Sequence, residues 1–338
     1  MKNRKVVFTK PNQVELQEIS MDEPVLAPSQ ILVKNHYSLI SPGTELACLS
    51  GKEGWFALPN TPGYIAAGEV VKAAENVADV SPGDKVFTYG PHAAYFVVDT
   101  KDRYTGMCLK IPDEMPLKLA PFIRMATIPF TSIRVSEIEL GDWVMVMGLG
   151  IVGNFAAQLA QLQGANVIGV DINEKRCAQA RECGIRHTVN SGSPDWKEAV
   201  NKITGGGGVS TFIDATGLSS VIVDSLDLIA SYGEAILLGS PRAEYLTDAT
   251  KVFNKIHLPG FTNFKGALEW RLPTFKDEFV KHSIQRNSEI VMQLILENRL
   301  IVQPLFTHEF TPDQASEAYS GLQTNKDEYI GVVFNWTE

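Results

Sequence analysis

The chain has 338 residues, 44% hydrophobic and 20% charged, with 30 Lys and Arg against 39 Asp and Glu for a formal net charge of −9. That length accommodates two domains, and the composition excludes a fibrous, low-complexity or mainly disordered protein. The acidic balance provides no overall positive field for nucleic acid or an anionic membrane surface, so a small-molecule partner is expected.

The first ten residues carry Lys2, Arg4, Lys5 and Lys10 around a short apolar patch and lack the unbroken core of a secretory signal. The most apolar stretch, 143–160, is interrupted by turn and polar residues and does not read as a membrane span. A cytoplasmic protein is expected. Over 1–120, short apolar runs at 5–8, 30–36, 67–72, 85–87 and 93–98 are separated by Pro-Gly and Gly-Asp turns, which predicts a β-rich, partly barrel-like domain. From about residue 120 the pattern alternates: strand 143–147, a glycine turn, helix 154–163, strand 167–170, helix 174–183, strand 211–214, helix 221–231 and strand 234–238. Such alternation predicts a parallel, doubly wound sheet of about six strands, complete by Asn263. A long helix is expected over 275–298, then a strand-rich tail ending at 331–336. The tail matches the first domain in character, so 121–265 reads as an α/β domain inserted between 1–120 and 266–338. The glycine run 205–208 reads as a plain loop between helix and strand. Cys48, Cys108, Cys177 and Cys183 are scattered, giving neither a disulfide framework nor a zinc cluster.

Gly148-Leu149-Gly150-Ile151-Val152-Gly153 follows a predicted strand and opens a predicted helix. In that setting Gly148 permits the tight turn, Gly150 lets backbone approach a pyrophosphate, and Gly153 lets helix pack on strand, with the helix N-terminus facing the anion. Asp171, with Ile172 beside it, closes the next strand 23 residues after Gly148, where a carboxylate accepts from ribose hydroxyls and repels a 2′-phosphate. Arg176 lies five residues further on, inside the helix, and NAD is expected over NADP. Ala215 and Thr216, and Gly239 and Ser240, follow two further strands of the same sheet and are second-rank cofactor contacts.

Together with Ser41-Pro42-Gly43-Thr44-Glu45-Leu46, Pro62-Gly63-Tyr64-Ile65-Ala66-Ala67-Gly68, the Pro82-Gly83-Asp84-Lys85-Val86 turn and Gly141-Asp142, this motif makes the chain resemble the medium-chain dehydrogenase/reductase superfamily over essentially its whole length. The resemblance implies a GroES-like β-rich catalytic domain plus a Rossmann domain. It also exposes departures. The cysteine that zinc members carry ahead of Gly-Thr-Asp/Glu is replaced by Ser41, and their Gly-His-Glu by Gly63-Tyr64-Ile65. The third ligand would fall near 124–127, where Arg124 offers a cation and no soft donor. The structural zinc lobe needs four close cysteines, and only Cys108 lies in that region. The motifs look most like a zinc-free branch that includes bacteriochlorophyllide dehydrogenase and bacterial sugar, glycoside and cyclitol dehydrogenases.

Without a Lewis acid, side chains must take the alcohol proton while hydride leaves carbon. His92, opening a strand in the segment that lines the substrate pocket of related enzymes, is the expected general base, since imidazole titrates near neutrality. Glu45 and Tyr64, in or beside the replaced metal positions, are expected to orient a hydroxyl or relay its proton, and Ser41 to hydrogen-bond substrate. Arg124, in an apolar segment, needs a partner, either Glu45 or substrate. His36, His187, His257, His282 and His308 have no supporting spacing. The expected function is a zinc-independent, NAD-dependent dehydrogenase of a secondary hydroxyl on a sugar, glycoside or cyclitol. The alternatives are a zinc-free NAD(P)H-dependent quinone or enone reductase and a non-catalytic nucleotide-binding redox sensor. A homodimer or homotetramer paired through the sheet edge near 261–265 is expected.

Overall fold

The computed structural model describes residues 2–337. Unit 1 comprises Met1–Arg124, Pro273–Leu296 and Leu305–Glu338, and unit 2 comprises Met125–Leu272 and Glu297–Pro304. The borders fall a few residues after those expected at 120 and 265, and 297–304 lies in unit 2. That segment is tied there by Gln158, whose side chain accepts from the Ile301 amide at 2.7 Å and donates to the Ile301 carbonyl at 3.0 Å.

Unit 1 begins with the hairpin β1 (Lys2–Lys10) and β2 (Gln13–Ser20). It continues through β3 (Gln30–Leu39), α1 (Pro42–Leu49), β4 (Ala66–Ala73), β5 (Lys85–Thr88), β6 (Tyr95–Asp99) and β7 (Cys108–Lys110) to α2 (Phe122–Val135), whose first residues belong to this unit. Unit 2 then runs β8 (Trp143–Met147), α3 (Ile151–Leu162), β9 (Asn166–Asp171), α4 (Glu174–Glu182), β10 (His187–Asn190), α5 (Trp196–Ile203), β11 (Val209–Asp214), α6 (Ser219–Ser225), β12 (Ile229–Leu237), α7 (Ala249–His257) and β13 (Asn263–Gly266). Unit 1 resumes with α8 (Ile284–Leu296), β14 (Phe306–Phe310), α9 (Ala315–Thr324) and β15 (Gly331–Asn335).

In unit 1, β3 is the organising strand: it pairs antiparallel with β4, β6 and β15, which carries the C-terminal segment into the sheet order β14-β15-β3-β4-β5-β7. Alternate residues Ile31 and Val33 join Val70, Val86 and Phe96 in one core. A second core gathers Phe8 of β1, Leu49 of α1, Tyr319 of α9 and Phe334 of β15, so chain ends more than 300 residues apart pack together. In unit 2 the order β10-β9-β8-β11-β12-β13 is wholly parallel, and it reverses between β8 and β11, the place where such sheets bind ligands beyond the strand C-termini. Val144, Met145 and Val146 of β8 are fully buried, as a central parallel strand demands.

Two expected helices are shorter than the sequence pattern suggests. The helix expected over 275–298 is confined to α8, because the Ser283 hydroxyl caps it by accepting from the Arg286 amide at 3.1 Å, and Asp277 turns the preceding chain by accepting from the Phe279 amide at 2.8 Å. The helix expected over 221–231 ends at Ser225, since Ile229 is already paired with Val209 in the sheet.

Candidate functional site

The glycine turn and its acidic partner lie in unit 2, at the strand ends around the switch point. Gly148 sits at φ +90°, a conformation that favours glycine, and a Cβ on Gly153 would stand 1.7 Å from the Gly148 carbonyl oxygen. These two glycines let the chain leave β8 and enter α3 without a gap. A Cβ on Gly150 would meet nothing within 4 Å, so the backbone there borders open space, and no side chain caps α3. The helix N-terminus therefore presents amides to an anion. Leu149 and Ile151, on either side of Gly150, are buried.

Asp171 ends β9 with 4% exposure. Its Oδ2 accepts from the Leu149 amide at 2.7 Å, its Oδ1 from the Asn173 amide at 2.8 Å, and Arg176 Nη1 stands 3.7 Å from Oδ2. A carboxylate has about four acceptor positions, so two remain for hydroxyl donors. Ile172 is 75% exposed beside it. The second-rank positions converge on the same loops. Thr216 Cγ2 lies 2.9 Å from a Cβ placed on Gly148, and one on Gly217 would meet the Ser240 carbonyl at 2.5 Å. Ala215 approaches Gly153, and the Gly239 amide donates to the Asp214 carbonyl at 2.7 Å. Asp214, which opens the second-rank run Asp214-Ala215-Thr216-Gly217, ties that loop together: its carboxylate accepts from the Thr216 hydroxyl at 2.6 Å and amide at 3.0 Å and from the Gly217 amide at 3.1 Å. Burial nonetheless holds its carboxyl above the ordinary range, against those hydrogen bonds. These contacts fit a dinucleotide: backbone amides for the pyrophosphate and a carboxylate for the ribose.

The polar set of unit 1 is built on α1 and the turn before β4. Ser41 is the N-cap of α1, and Glu45, one turn later, reaches back so that Oε1 accepts from the Ser41 amide at 2.8 Å. Tyr64 is half-buried and donates to Ser41 Oγ at 2.6 Å. The two positions that the family resemblance equates with zinc ligands are thus hydroxyls bonded to each other. Arg124 is 2% exposed; it donates to Tyr89 Oη, lies over the Tyr89 ring at 3.8 Å, and stands 5.4 Å from the Tyr64 ring centroid. Burial raises the Tyr64 phenol above its ordinary value, and the Arg124 charge opposes that rise.

His92 is not placed to meet substrate directly. Its ring is 0% exposed, edge-on to Phe334, with Nδ1 2.7 Å from Ser38 Oγ and Nε2 3.0 Å from Glu45 Oε2. The partners assign the protons. Trp336 Nε1 can only donate, and does so to Ser38 Oγ at 2.9 Å; Ser38 then donates to Nδ1, and Nε2–H donates to the carboxylate, which also accepts from Tyr319 Oη at 2.5 Å. Every polar atom of this set is then hydrogen-bonded, and the residue expected as general base is a ring with no exposed surface. The reason is local: a Cβ on Gly63 would lie 2.8 Å from the His92 ring, so the Pro62-Gly63-Tyr64 turn is folded directly over it. Ser38, Tyr89, Tyr319 and Trp336 were not singled out from sequence, and no motif could have found Tyr319, 274 residues from its partner Glu45.

Glu45→Ala strands three buried donors, on Ser41, His92 and Tyr319. The expected loss is about 3–5 kcal/mol, with Glu45→Gln losing less because its amide oxygen still accepts. Denaturant unfolding checks this, and an unchanged midpoint for the alanine variant would remove the network from the stability of unit 1.

The described residues contain no group of three or more His, Cys, Asp and Glu side chains arranged to hold a metal ion. Burial also pushes the Cys108 and Cys183 thiols up to about 12 and Cys177 up to about 11, which keeps them protonated and poor ligands. The donor set at Ser41, Tyr64 and Arg124 does not suit a catalytic zinc. No helix among the described residues is long and apolar enough to cross a membrane.

Residues 152–274 match the zinc-binding dehydrogenase family, a span that excludes positions 41, 64 and 124. The chain is 26% identical over 280 residues to D-guloside 3-dehydrogenase of Escherichia coli K12, covering 80% of this chain and 77% of that protein. It is 23% identical over 341 residues to sorbitol dehydrogenase of Halalkalibacterium halodurans, covering 90% and 91%. Among solved structures, galactitol-1-phosphate dehydrogenase of Escherichia coli superposes with a TM-score of 0.83 at 18% identity, covering 98% of this chain and 99% of that one.

Proposed function

The chain belongs to the medium-chain dehydrogenase/reductase superfamily, and from that premise we propose that it is an NAD-dependent, zinc-independent dehydrogenase of a secondary hydroxyl on a sugar, glycoside or cyclitol. The observation that carries this reading is the 2.6 Å hydrogen bond between Tyr64 and Ser41 at the positions where zinc would be held. The substrates named for D-guloside 3-dehydrogenase and sorbitol dehydrogenase are polyhydroxylated, which supports the choice of substrate class.

A bound nicotinamide would supply the acceptor for the hydride of the carbinol carbon. The amides at the start of α3 would hold its pyrophosphate and Asp171 its adenine ribose. In unit 1, Tyr64 Oη takes the alcohol proton as its own passes to Ser41 Oγ and the Ser41 hydroxyl proton passes on to water, so each oxygen gives up one proton for the one it receives and neither a phenolate nor a protonated serine is left. The Arg124 charge eases negative charge developing at Tyr64, the same effect by which it opposes the burial-driven rise of the phenol. Glu45, braced by His92 and Tyr319, positions Ser41 through its amide. Ser41 and Thr44, 3.5 Å from Tyr64 Oη, fix the phenol's direction.

The test is metal analysis of the purified chain with a screen of NAD and NADP reduction across sugars, glycosides, cyclitols and simple alcohols, with and without chelator. Chelator-resistant NAD reduction on a polyol is expected. Stoichiometric zinc with chelator-sensitive turnover overturns zinc independence, and NADPH-dependent reduction of quinones with no alcohol oxidation overturns the reaction. We also propose pairing of two copies through β13, an edge strand beside the exposed Tyr232 and Phe261; light scattering of the same preparation should give a multiple of 37.1 kDa, and a monomer mass would exclude it.

A further inference from the structure

We propose that Tyr89 is a positioning residue for the oxidation: its ring and its hydroxyl together hold the Arg124 guanidinium beside the Tyr64 phenol. This rests on the role given to Tyr64 above. The guanidinium lies over the Tyr89 ring, its central carbon 3.8 Å from the centroid, and Nη1 donates to Tyr89 Oη. The same carbon stands 5.4 Å from the Tyr64 ring centroid.

An aromatic face attracts a cation but leaves a planar guanidinium able to slide and turn over it. A hydrogen bond to the hydroxyl at the ring's edge removes that freedom, because donor and acceptor must align. An arginine side chain has much rotamer freedom to lose, so a charge fixed beside Tyr64 needs both contacts.

Tyr89 is itself anchored. It is 6% exposed, directly follows β5, and packs edge-on to Phe87 at 5.9 Å. A Cβ on the next residue, Gly90, would stand 2.3 Å from the Phe96 ring, so the chain turns tightly against β6 there. Tyr64 and Tyr89 also flank one end of a strand pair: Ala66 of β4 lies opposite Thr88 of β5, and the His92 amide donates to the Pro62 carbonyl at 2.8 Å. Backbone pairing therefore sets the spacing of the two phenols, and Arg124, in the first turn of α2, is the flexible side chain that Tyr89 fixes between elements.

The consequence for the reaction is electrostatic. Burial raises the Tyr64 phenol and the Arg124 charge opposes that rise, an influence that weakens as the charge moves away.

The experiment measures kcat and KM on the best substrate of the polyol screen for wild type, Tyr89→Phe, Tyr64→Phe and the double variant. Tyr89→Phe keeps the ring and deletes the hydroxyl. Its kcat should fall about tenfold with KM within about twofold of wild type, because the charge is displaced rather than removed. In the Tyr64→Phe background the same substitution should cost less than about twofold, since no phenol remains for the charge to act on. A merely structural role predicts the same loss in both backgrounds. Arg124→Lys is the second variant should Tyr89→Phe fail to fold: lysine keeps the charge without a planar fork to lie on the ring, and should show the same loss and the same dependence on Tyr64. Undiminished kcat in the folded variant, a change confined to KM, or equal losses with and without the Tyr64 hydroxyl overturns the positioning role and leaves the dehydrogenase reading standing. Wild type that oxidises no hydroxylated compound overturns the reading and the role of Tyr89 together.

Discussion

Tyr64→Phe should lower kcat for alcohol oxidation by about a hundredfold or more, the usual size of a lost proton-transfer group, with a much smaller change in KM. The substitution keeps the ring that faces Arg124 at 5.4 Å and removes only the hydroxyl that donates to Ser41 Oγ, so packing is conserved while the relay is cut. Burial lifts this phenol above its ordinary 10.0, so Tyr64 is neutral throughout the physiological range and its own ionisation should produce no limb in the pH–rate profile below that value. Steady-state kinetics across pH on the best substrate of the screen would decide the matter. Activity within a few-fold of wild type would remove Tyr64 from the proton path.

Asp171→Ala should reverse the coenzyme preference. Each hydrogen bond from a ribose hydroxyl to a carboxylate is worth roughly 1.5–3 kcal/mol, so kcat/KM with NAD should fall by about tenfold to a hundredfold or more. The same change removes the negative charge that repels a 2′-phosphate and releases Arg176, now 3.7 Å from Oδ2, to meet one. Efficiency with NADP should therefore rise while that with NAD falls. Because Asp171 also accepts from the Leu149 and Asn173 amides, thermal unfolding must be followed alongside kinetics. A ratio of NADP to NAD efficiency that does not move would show that the adenine ribose is read elsewhere.

The dinucleotide features were legible because they are local. Gly148, Gly150 and Gly153 lie within six residues, and Asp171 follows one helix and one strand later, so chain order alone places them at one end of a parallel sheet. The catalytic-domain set was legible only in part. Ser41 and Tyr64 were found by motif position, and their mutual hydrogen bond follows from the fold. The burial of His92 was not legible, because nothing in Gly90-Pro91-His92 announces that Gly63 folds over its ring or that Phe334, more than 240 residues later, packs against it.

The family resemblance placed the hydroxyls of Ser41 and Tyr64 at the metal positions; what the amino-acid sequence determined by itself is the division into a β-rich and a doubly wound α/β part and the glycine turn with its acidic partner. Each depends on periodicity, turn chemistry or spacing within one or two elements. Only the tertiary structure decided which partners those hydroxyls and His92 meet. Strand β15 pairs with β3 and thereby carries Trp336 to Ser38, and α9 carries Tyr319 to Glu45. A buried polar group takes its role from the partners that satisfy it, and here those partners arrive from the far end of the chain.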